Sequence, residues 1–145
     1  MVVQLSTQLN ISAARAWAAV KQSATLIYVT HGLLGFSAVF PNEWREGESV
    51  RTRLFLFGLI PIWMHELEFI RIDNELRELR TRERGGLISA WNHVISVAAK
   101  SDECCIYTDS VEISAGVLTP LVWLYAQIFY RHRRRRWNRL ARSLS

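Results

Sequence analysis

The C-terminal residues 119–145 predict one long helix in two halves of different character, and this helix limits what the chain can fold into. Thr119 is a favoured N-cap, and Pro120 suits the first helical position. Residues 121–130 are almost wholly apolar, whereas residues 131–142 hold seven arginines and no acidic residue. Because the preceding residues read mainly as strands, we expect this half-apolar helix to close a sheet.

The residues before that helix predict an antiparallel sheet and two short helices. The helices are expected at Ala13–Gln22, capped by Ser12, and at Leu26–Thr30. Tight turns between successive strands favour a meander, with the first strand pairing at an edge. The fold class is therefore α+β, a curved antiparallel sheet of about seven strands wrapped round the C-terminal helix, in one domain spanning 1–145. The predicted strands are Val2–Asn10, Gly35–Phe40, Ser49–Phe57, Ile62–Asp73, Glu75–Arg84, Leu87–Ala99 and Glu103–Ile113.

The order of these elements resembles the START-like, or SRPBCC, superfamily, whose fold is called the helix-grip. The residues that carry the resemblance are the Ala-rich segment Ser12–Trp17, Trp91-Asn92-His93, the segment Tyr107–Ile113 and Gly116 before the last helix. The superfamily includes polyketide cyclases, coenzyme Q-binding proteins and relatives of plant pollen allergens. The resemblance implies an apolar cavity between sheet and helix that holds a lipid, sterol, polyketide, isoprenoid or hormone. It implies no particular reaction, because the superfamily shares no catalytic set.

Alternating residues of three strands predict the wall of such a cavity. Aromatic side chains would supply apolar area, and the histidines, the tyrosine and the aspartate would orient a polar group of the ligand. Ordinary packing in the core is the alternative for each of them. The candidate ligand-binding residues are Trp63, His65, Phe69, Trp91, His93, Tyr107 and Asp109 from the strands, and Trp123 and Phe129 from the last helix.

Three functions remain open from the sequence. The first is binding of a hydrophobic small molecule or lipid, and the second is a cyclase, aromatase or dehydratase that uses the same pocket. His65 and His93 are the histidines that could serve in acid–base chemistry, and His93 with Asp109 forms the weak catalytic candidate pair, for which a structural hydrogen bond is the alternative. No nucleophile motif, phosphate-binding loop or cluster of metal ligands is present, so no cofactor and no metal are expected.

The third function is docking on an anionic membrane surface through the arginine run. Eleven basic residues face thirteen acidic ones before residue 131, so the excess positive charge of the chain lies in the last helix. Arg133, Arg134, Arg135 and Arg136 are the candidate anion or membrane contacts. A solvated helix face is the alternative, and nucleic acid is not expected because no recognition motif accompanies the run.

The segment Leu56–Trp63 is unusually apolar for a hairpin connection. It could gate the cavity, dip into a bilayer surface, or pack on the last helix or on a second subunit. No segment is long enough to span a membrane, and residues 1–10 do not resemble a secretion signal. Cys104 and Cys105 are adjacent in a strand and point to opposite faces, which disfavours a disulfide. A cytoplasmic location is expected, with the membrane surface as a peripheral alternative.

Overall fold

One antiparallel sheet of seven strands dominates the computed structural model, which describes all residues 1–145. The strand order is β1-β7-β6-β5-β4-β3-β2, so the meander and the edge position of the first strand are confirmed. The strands are β1 (Val2–Leu9), β2 (Leu34–Phe36), β3 (Ser49–Leu56), β4 (Ile60–Asp73), β5 (Glu78–Gly85), β6 (Ile88–Ser101) and β7 (Cys104–Ser114).

Three α-helices accompany the sheet: α1 (Ala13–Val20), α2 (Ser23–Thr30) and α3 (Thr119–Leu144). The Ser12 hydroxyl accepts a hydrogen bond from the Arg15 N–H, which confirms the predicted N-cap of α1. The prediction for Thr119 was wrong, because Thr119 is already helical. Its hydroxyl accepts from the Ala115 N–H and donates to the Gly116 carbonyl, and so fixes the short 3-10 helix Gly116–Leu118 that leads into α3.

Several element boundaries differ from the prediction. The second strand is shorter, and α2 begins at Ser23 rather than at Leu26. The turn between β4 and β5 is also longer than a two-residue hairpin. The Asp73 carboxylate accepts from the N–H groups of Glu75 and Leu76, and Arg77 takes a positive φ of 51°. This side chain-to-backbone turn delays the start of β5 until Glu78.

Helix α3 packs against β1 and β7, at one side of the curved sheet. Its buried residues recur on one face, and Trp137 packs on Tyr107 of β7 with 4.5 Å between ring centroids. The inner faces of β3, β4 and β5 are therefore left without a helix packed directly on them, whereas β6 packs against α1. This asymmetric packing leaves a gap between the sheet and the helix. No helix in the protein combines the length and hydrophobicity that a membrane span requires.

The meander places alternate connections at opposite ends of the sheet. We call one of them the upper end, formed by residues 57–59 between β3 and β4, 86–87 between β5 and β6, and 115–118 before α3. The lower end holds residues 74–77 between β4 and β5 and 102–103 between β6 and β7. Helix α3 begins at the upper end and finishes near α1, where the Arg15 guanidinium donates to the Leu144 carbonyl at 2.6 Å. Its arginine-rich half consequently lies toward the lower end.

Candidate ligand-binding cavity

A cavity of about 310 Å³ lies between the inner face of the sheet and helices α2 and α3. Twenty-two of its 29 lining residues are hydrophobic, so the wall repels water over most of its area. Its volume is at the lower limit of small-molecule sites. Leu67 and Phe69 of β4 and Ile95 of β6 form the floor, and Val29 of α2 and Phe129 of α3 lie opposite.

Aromatic rings shape two parts of this wall. Trp44 stacks on Phe69 with 4.5 Å between the ring centroids. At the upper end, the Trp63 ring lies against Gly85 and Gly86, and a Cβ on either glycine would overlap it. Gly86 also takes a positive φ of 53°, a conformation that suits glycine. The two glycines therefore provide the space that places Trp63 between the cavity and the turn after β5.

A chain of buried polar groups crosses the floor of the cavity. His65 Nε2 lies 3.2 Å from Glu83 Oε1, and the Thr81 hydroxyl donates to Glu83 Oε2 at 2.8 Å. His93 Nδ1 lies 4.0 Å from the same carboxylate, and His93 Nε2 is hydrogen-bonded to Asp109 Oδ1 at 2.7 Å. Two carboxylates and two imidazoles are thus connected in one row across β4, β5, β6 and β7.

Arg133 of α3 completes this chain from the opposite side. Its guanidinium lies 3.3 Å from Asp109 Oδ1 and donates to the Tyr107 hydroxyl at 3.1 Å, and Tyr107 in turn donates to Asp109 at 2.9 Å. Arg133 is only 4 % exposed. A buried guanidinium needs such partners because desolvation of an unpaired charge is strongly unfavourable. This ion pair therefore connects the last helix to the sheet.

Several cavity-lining residues keep polar atoms that have no protein partner. They are the indole nitrogens of Trp63 and Trp137, the hydroxyl of Tyr125 and His65 Nδ1. The Tyr130 hydroxyl accepts a hydrogen bond from the Trp91 indole at 3.0 Å. Buried polar groups are normally paired, so unpaired ones concentrated around one cavity indicate capacity for further hydrogen bonds there.

Glu83 and Asp109, the two carboxylates of the buried polar row, are held in their charged form. Burial alone would raise the pKa of Asp109, but the Arg133 charge and the His93 hydrogen bond outweigh it, and the pKa lies below the usual range. Burial would likewise raise the pKa of Glu83, yet the hydrogen bond and charge of His65 bring it below its ordinary value. Burial raises the pKa of Tyr107 and of Tyr130, so both phenols stay protonated.

These shifts predict a loss of stability in acid. A lowered carboxylate pKa means that the unfolded chain binds the proton first as the pH falls. The stability that Asp109 and Glu83 contribute is therefore complete above their ordinary pKa of about 4 and is lost as the pH falls through their folded values. Urea unfolding between about pH 6 and pH 3 measures the decline. Glu83→Gln should flatten it and Glu75→Gln, in an exposed turn, should not; equal declines in both variants would contradict this account.

The structure brings six of the nine predicted ligand-binding residues to the cavity wall: Trp63, His65, Phe69, Trp91, His93 and Phe129. The other three are corrected. Tyr107 and Asp109 lie behind the wall, because α3 packs over β7 and Arg133 covers them. Trp123 lies on the side of α3 that faces β1, where its indole donates to the Val2 carbonyl at 3.0 Å. Whether the six lining residues contact a ligand remains a prediction.

The arginine run does not act as a uniform exposed block. Arg133 is buried in the ion pair, so its prediction as an anion or membrane contact is wrong. Arg136 donates to the Tyr28 carbonyl at 2.9 Å and stacks over the Tyr28 ring at 4.1 Å, which fastens α3 to α2. Arg134 is partly exposed and Arg135 exposed. Two of the four predicted arginines thus serve internal packing.

Sequence reasoning missed several residues of the site, among them Glu83, Tyr130 and Trp137, and it gave Arg133 a different role. Glu83 shares a face of β5 with Leu79 and Thr81, while the neighbouring arginines face outward and pair with Glu66 and Glu68. Alternation along the strand could have identified it. Arg133 lies four residues from both Phe129 and Trp137, a spacing that places it on the apolar face of α3.

The comparisons with known structures identify the fold. A START superfamily protein from Mycobacterium smegmatis aligns with a TM-score of 0.73 at 11% identity, over 99% of each chain. The Zhui aromatase/cyclase from Streptomyces sp. R1128 aligns with 0.71 at 11%, over 98% of this chain and 93% of that one. Norcoclaurine synthase from Thalictrum flavum aligns with 0.59 at 16%, over 90% and 84%. At these identities the likeness shows the helix-grip fold, as the sequence resemblance implied.

Sequence comparison assigns the family. No curated protein matches the chain. A family model described as "Domain of unknown function (DUF8410)" matches residues 32–142, from the end of α2 to the last turn of α3. This match covers the cavity floor and most of its lid. The chain therefore belongs to the DUF8410 family, and it has the helix-grip fold of the START-like superfamily.

Proposed function

We propose that residues 1–145 form a single domain that binds a small hydrophobic molecule in the cavity beneath α3. The observation that carries this proposal is the combination of an apolar wall with a buried polar chain along its floor. An apolar cavity of this size is not a feature that stability favours, since interiors otherwise pack densely. The polar chain gives the cavity one side that can orient a ligand.

The charges around the cavity favour a neutral ligand. The wall contains one arginine, Arg133, and no lysine. Arg133 is already paired with Asp109, so it is not free to bind an anionic ligand. Glu83 supplies the remaining negative charge, so an anionic group beside it would be repelled. The unpaired polar atoms of Trp63, Tyr125 and Trp137 are donors suited to a carbonyl or hydroxyl oxygen.

The cavity volume limits the ligand to a small one. About 310 Å³ suits a molecule of two or three rings, or a short acyl chain, better than a sterol or a long polyketide. The aligned norcoclaurine synthase structure is a complex with dopamine and hydroxybenzaldehyde, which are one-ring aromatic molecules. That protein supports the size class, and we extend the class to this chain as a proposal.

Titration with two matched probes tests the proposed ligand class. Naphthalene and 2-naphthol have the same ring system, and 2-naphthol adds one hydroxyl. We expect both to bind and 2-naphthol to bind about fivefold more tightly, because one net hydrogen bond contributes about 1 kcal/mol. Calorimetry or ligand fluorescence measures both affinities. Failure of both probes to bind would contradict the apolar cavity, and tighter binding of naphthalene would contradict the orienting role of the polar groups.

A second candidate function, acid–base catalysis in the same pocket, is favoured by one observation. His93 lines the cavity, and Asp109 lies behind it at 2.7 Å, an arrangement that can orient an imidazole and stabilise its protonated form. His65 has the same relation to Glu83 and keeps its Nδ1 unpaired. A cyclase or dehydratase would convert its bound ligand into a product of different structure or mass, whereas a binding protein releases the ligand unchanged.

For docking on an anionic membrane, the structure leaves only part of the predicted set of arginine contacts accessible. Two of the four predicted contacts are engaged inside the protein, and Arg134 and Arg135 remain available. Arg131, Arg139 and Arg142 are also exposed on this helix, so five arginines of the run can attract an anionic surface, at about 1 kcal/mol each.

A further inference from the structure

The upper end of the sheet exposes large hydrophobic side chains from three separate connections. Leu59, at the tip between β3 and β4, is 82% exposed. Packing on the last helix, one of the alternatives for this segment, therefore does not apply to its tip. Isolated exposed hydrophobic residues are ordinary, but a group gathered by the topology at one end indicates a contact surface. The members of this apolar tip cluster are Phe57, Leu59, Ile60, Leu87, Val117, Leu118 and Leu121.

The segments that form this end carry no acidic or basic side chain. Residues 54–64, 85–92 and 113–130 contain no Asp, Glu, Lys, Arg or His. The first charges behind the tips include Arg53 of β3 and Arg84 of β5, which are both exposed. Arg84 lies 3.5 Å from Glu66, and the Arg53 guanidinium reaches the Ile62 carbonyl. The end is therefore layered, with apolar tips outermost and charged residues, Arg53, Arg84 and Glu66, set behind them.

The cavity extends to this same end. Leu56, Ile88 and Leu121 line it there, and Leu121 is also 64% exposed. A single layer of apolar side chains consequently separates the cavity from the surface. Trp63, which packs against Gly85 and Gly86, lies between this surface and the floor of the cavity.

We propose that the apolar tip cluster inserts into the surface layer of a lipid bilayer. The acyl region excludes charge, which fits the absence of acidic and basic side chains in all three segments. Tryptophan and arginine favour the level of the headgroups, which fits Trp63, Arg53 and Arg84 behind the tips. Three separate turns form a discontinuous surface that fluid acyl chains can surround, whereas a second copy of the chain would need a rigid complementary shape.

In this contact, the thin wall of the cavity would face the bilayer. It rests on the proposed function in one respect: an apolar ligand could then pass between bilayer and cavity without crossing water. The contact differs from docking through the arginine run, because the arginines lie toward the lower end of α3 and attract anionic lipid, whereas the tips need no charged lipid.

Cosedimentation of the full chain with phosphatidylcholine vesicles tests this proposal. The wild-type protein should bind these uncharged vesicles, and raising the salt from about 0.05 M to about 0.5 M should not weaken the binding. Leu59→Asp should lower the partition coefficient about tenfold or more, because it places a charge at the deepest tip. Leu76→Asp is the matched control, since Leu76 is 64% exposed in the turn at the lower end, and it should bind as the wild type does.

Other outcomes would overturn the proposal. Wild-type protein that stays in solution with phosphatidylcholine, or that binds only vesicles containing phosphatidylserine and is released by salt, would assign the contact to the arginines. A dimer that Leu59→Asp converts to a monomer, without vesicle binding by either protein, would identify a second copy as the occupant. The affinity of Leu59→Asp for 2-naphthol should equal that of the wild type, so loss of membrane contact is distinguishable from failure of the ligand site.

Discussion

Replacing Arg133 with methionine is expected to lower the free energy of unfolding by about 3–5 kcal/mol, the usual effect of breaking a buried ion pair. Methionine has a similar unbranched stem, so packing against Tyr130 and Trp137 is largely retained. What the variant loses is the partner of Asp109, a carboxylate that is 3% exposed. Urea unfolding at about pH 7 measures the effect, and the difference from wild type should shrink as the pH is lowered, because the Asp109 of the variant has lost the Arg133 charge that lowers its pKa and takes up a proton first.

Two further variants separate the ion pair from a general effect of changing this helix. Arg135→Met removes an exposed arginine two residues away and should change the stability by less than about 0.5 kcal/mol. Adding Asp109→Asn to Arg133→Met removes the unpaired charge and should recover part of the lost stability. If Arg133→Met does not fold, recovery of a folded protein in the double variant still tests the role of the ion pair. Equal stability of Arg133→Met and Arg135→Met would contradict the role given to Arg133.

Filling the cavity is expected to abolish most of the ligand affinity. Ile95 lies on the cavity floor in the middle of β6, and Ile95→Trp would place an indole in the space that the ligand needs. A ligand would then have to displace this ring into a packed interior, which costs about 1–3 kcal/mol. We therefore expect the affinity for 2-naphthol to fall about 10-fold to 100-fold. Fluorescence titration of the probe measures this change.

The adjacent residue of the same strand provides the control. Val94 lies on the opposite face of β6 and is partly exposed, so Val94→Trp adds the same ring outside the cavity. Its affinity for 2-naphthol should match that of the wild type. Thermal unfolding of both variants shows whether each is folded. Equal affinities in the two variants would place the probe somewhere other than the cavity.

The fold could be predicted from the sequence because the patterns that indicate it are local. Alternation along Ile62–Asp73 placed Trp63, His65, Leu67 and Phe69 on one face. In the structure all four line the cavity, and all but Trp63 are buried. The order of turns fixed the meander, and the apolar half of α3 indicated a helix that covers the sheet. Those features depend on neighbours in the chain and need no knowledge of distant contacts.

The site was harder to predict because it depends on where the helix crosses the sheet. Helix α3 covers β1 and β7, so Tyr107 and Asp109 lie under it, while equivalent residues of β4 and β6 face the cavity. No local pattern specifies that crossing. The seven arginines were interpreted as one exposed block, so the burial of Arg133 was not predicted. Its spacing from Phe129 and Trp137 nevertheless places it on the buried face of α3. The charge of a run describes its surface only after each residue has been assigned to a helix face.

The most direct test of the central claim is to locate a bound probe by NMR. Intermolecular nuclear Overhauser effects between 2-naphthol and the methyl groups of the protein report which side chains lie beside the ring. If 2-naphthol binds in the cavity, we expect contacts to Leu67 and Ile95 on the floor and to Val29 of α2. Contacts confined to Leu59 and Ile60 at the exposed tips, with none to these buried methyl groups, would contradict it.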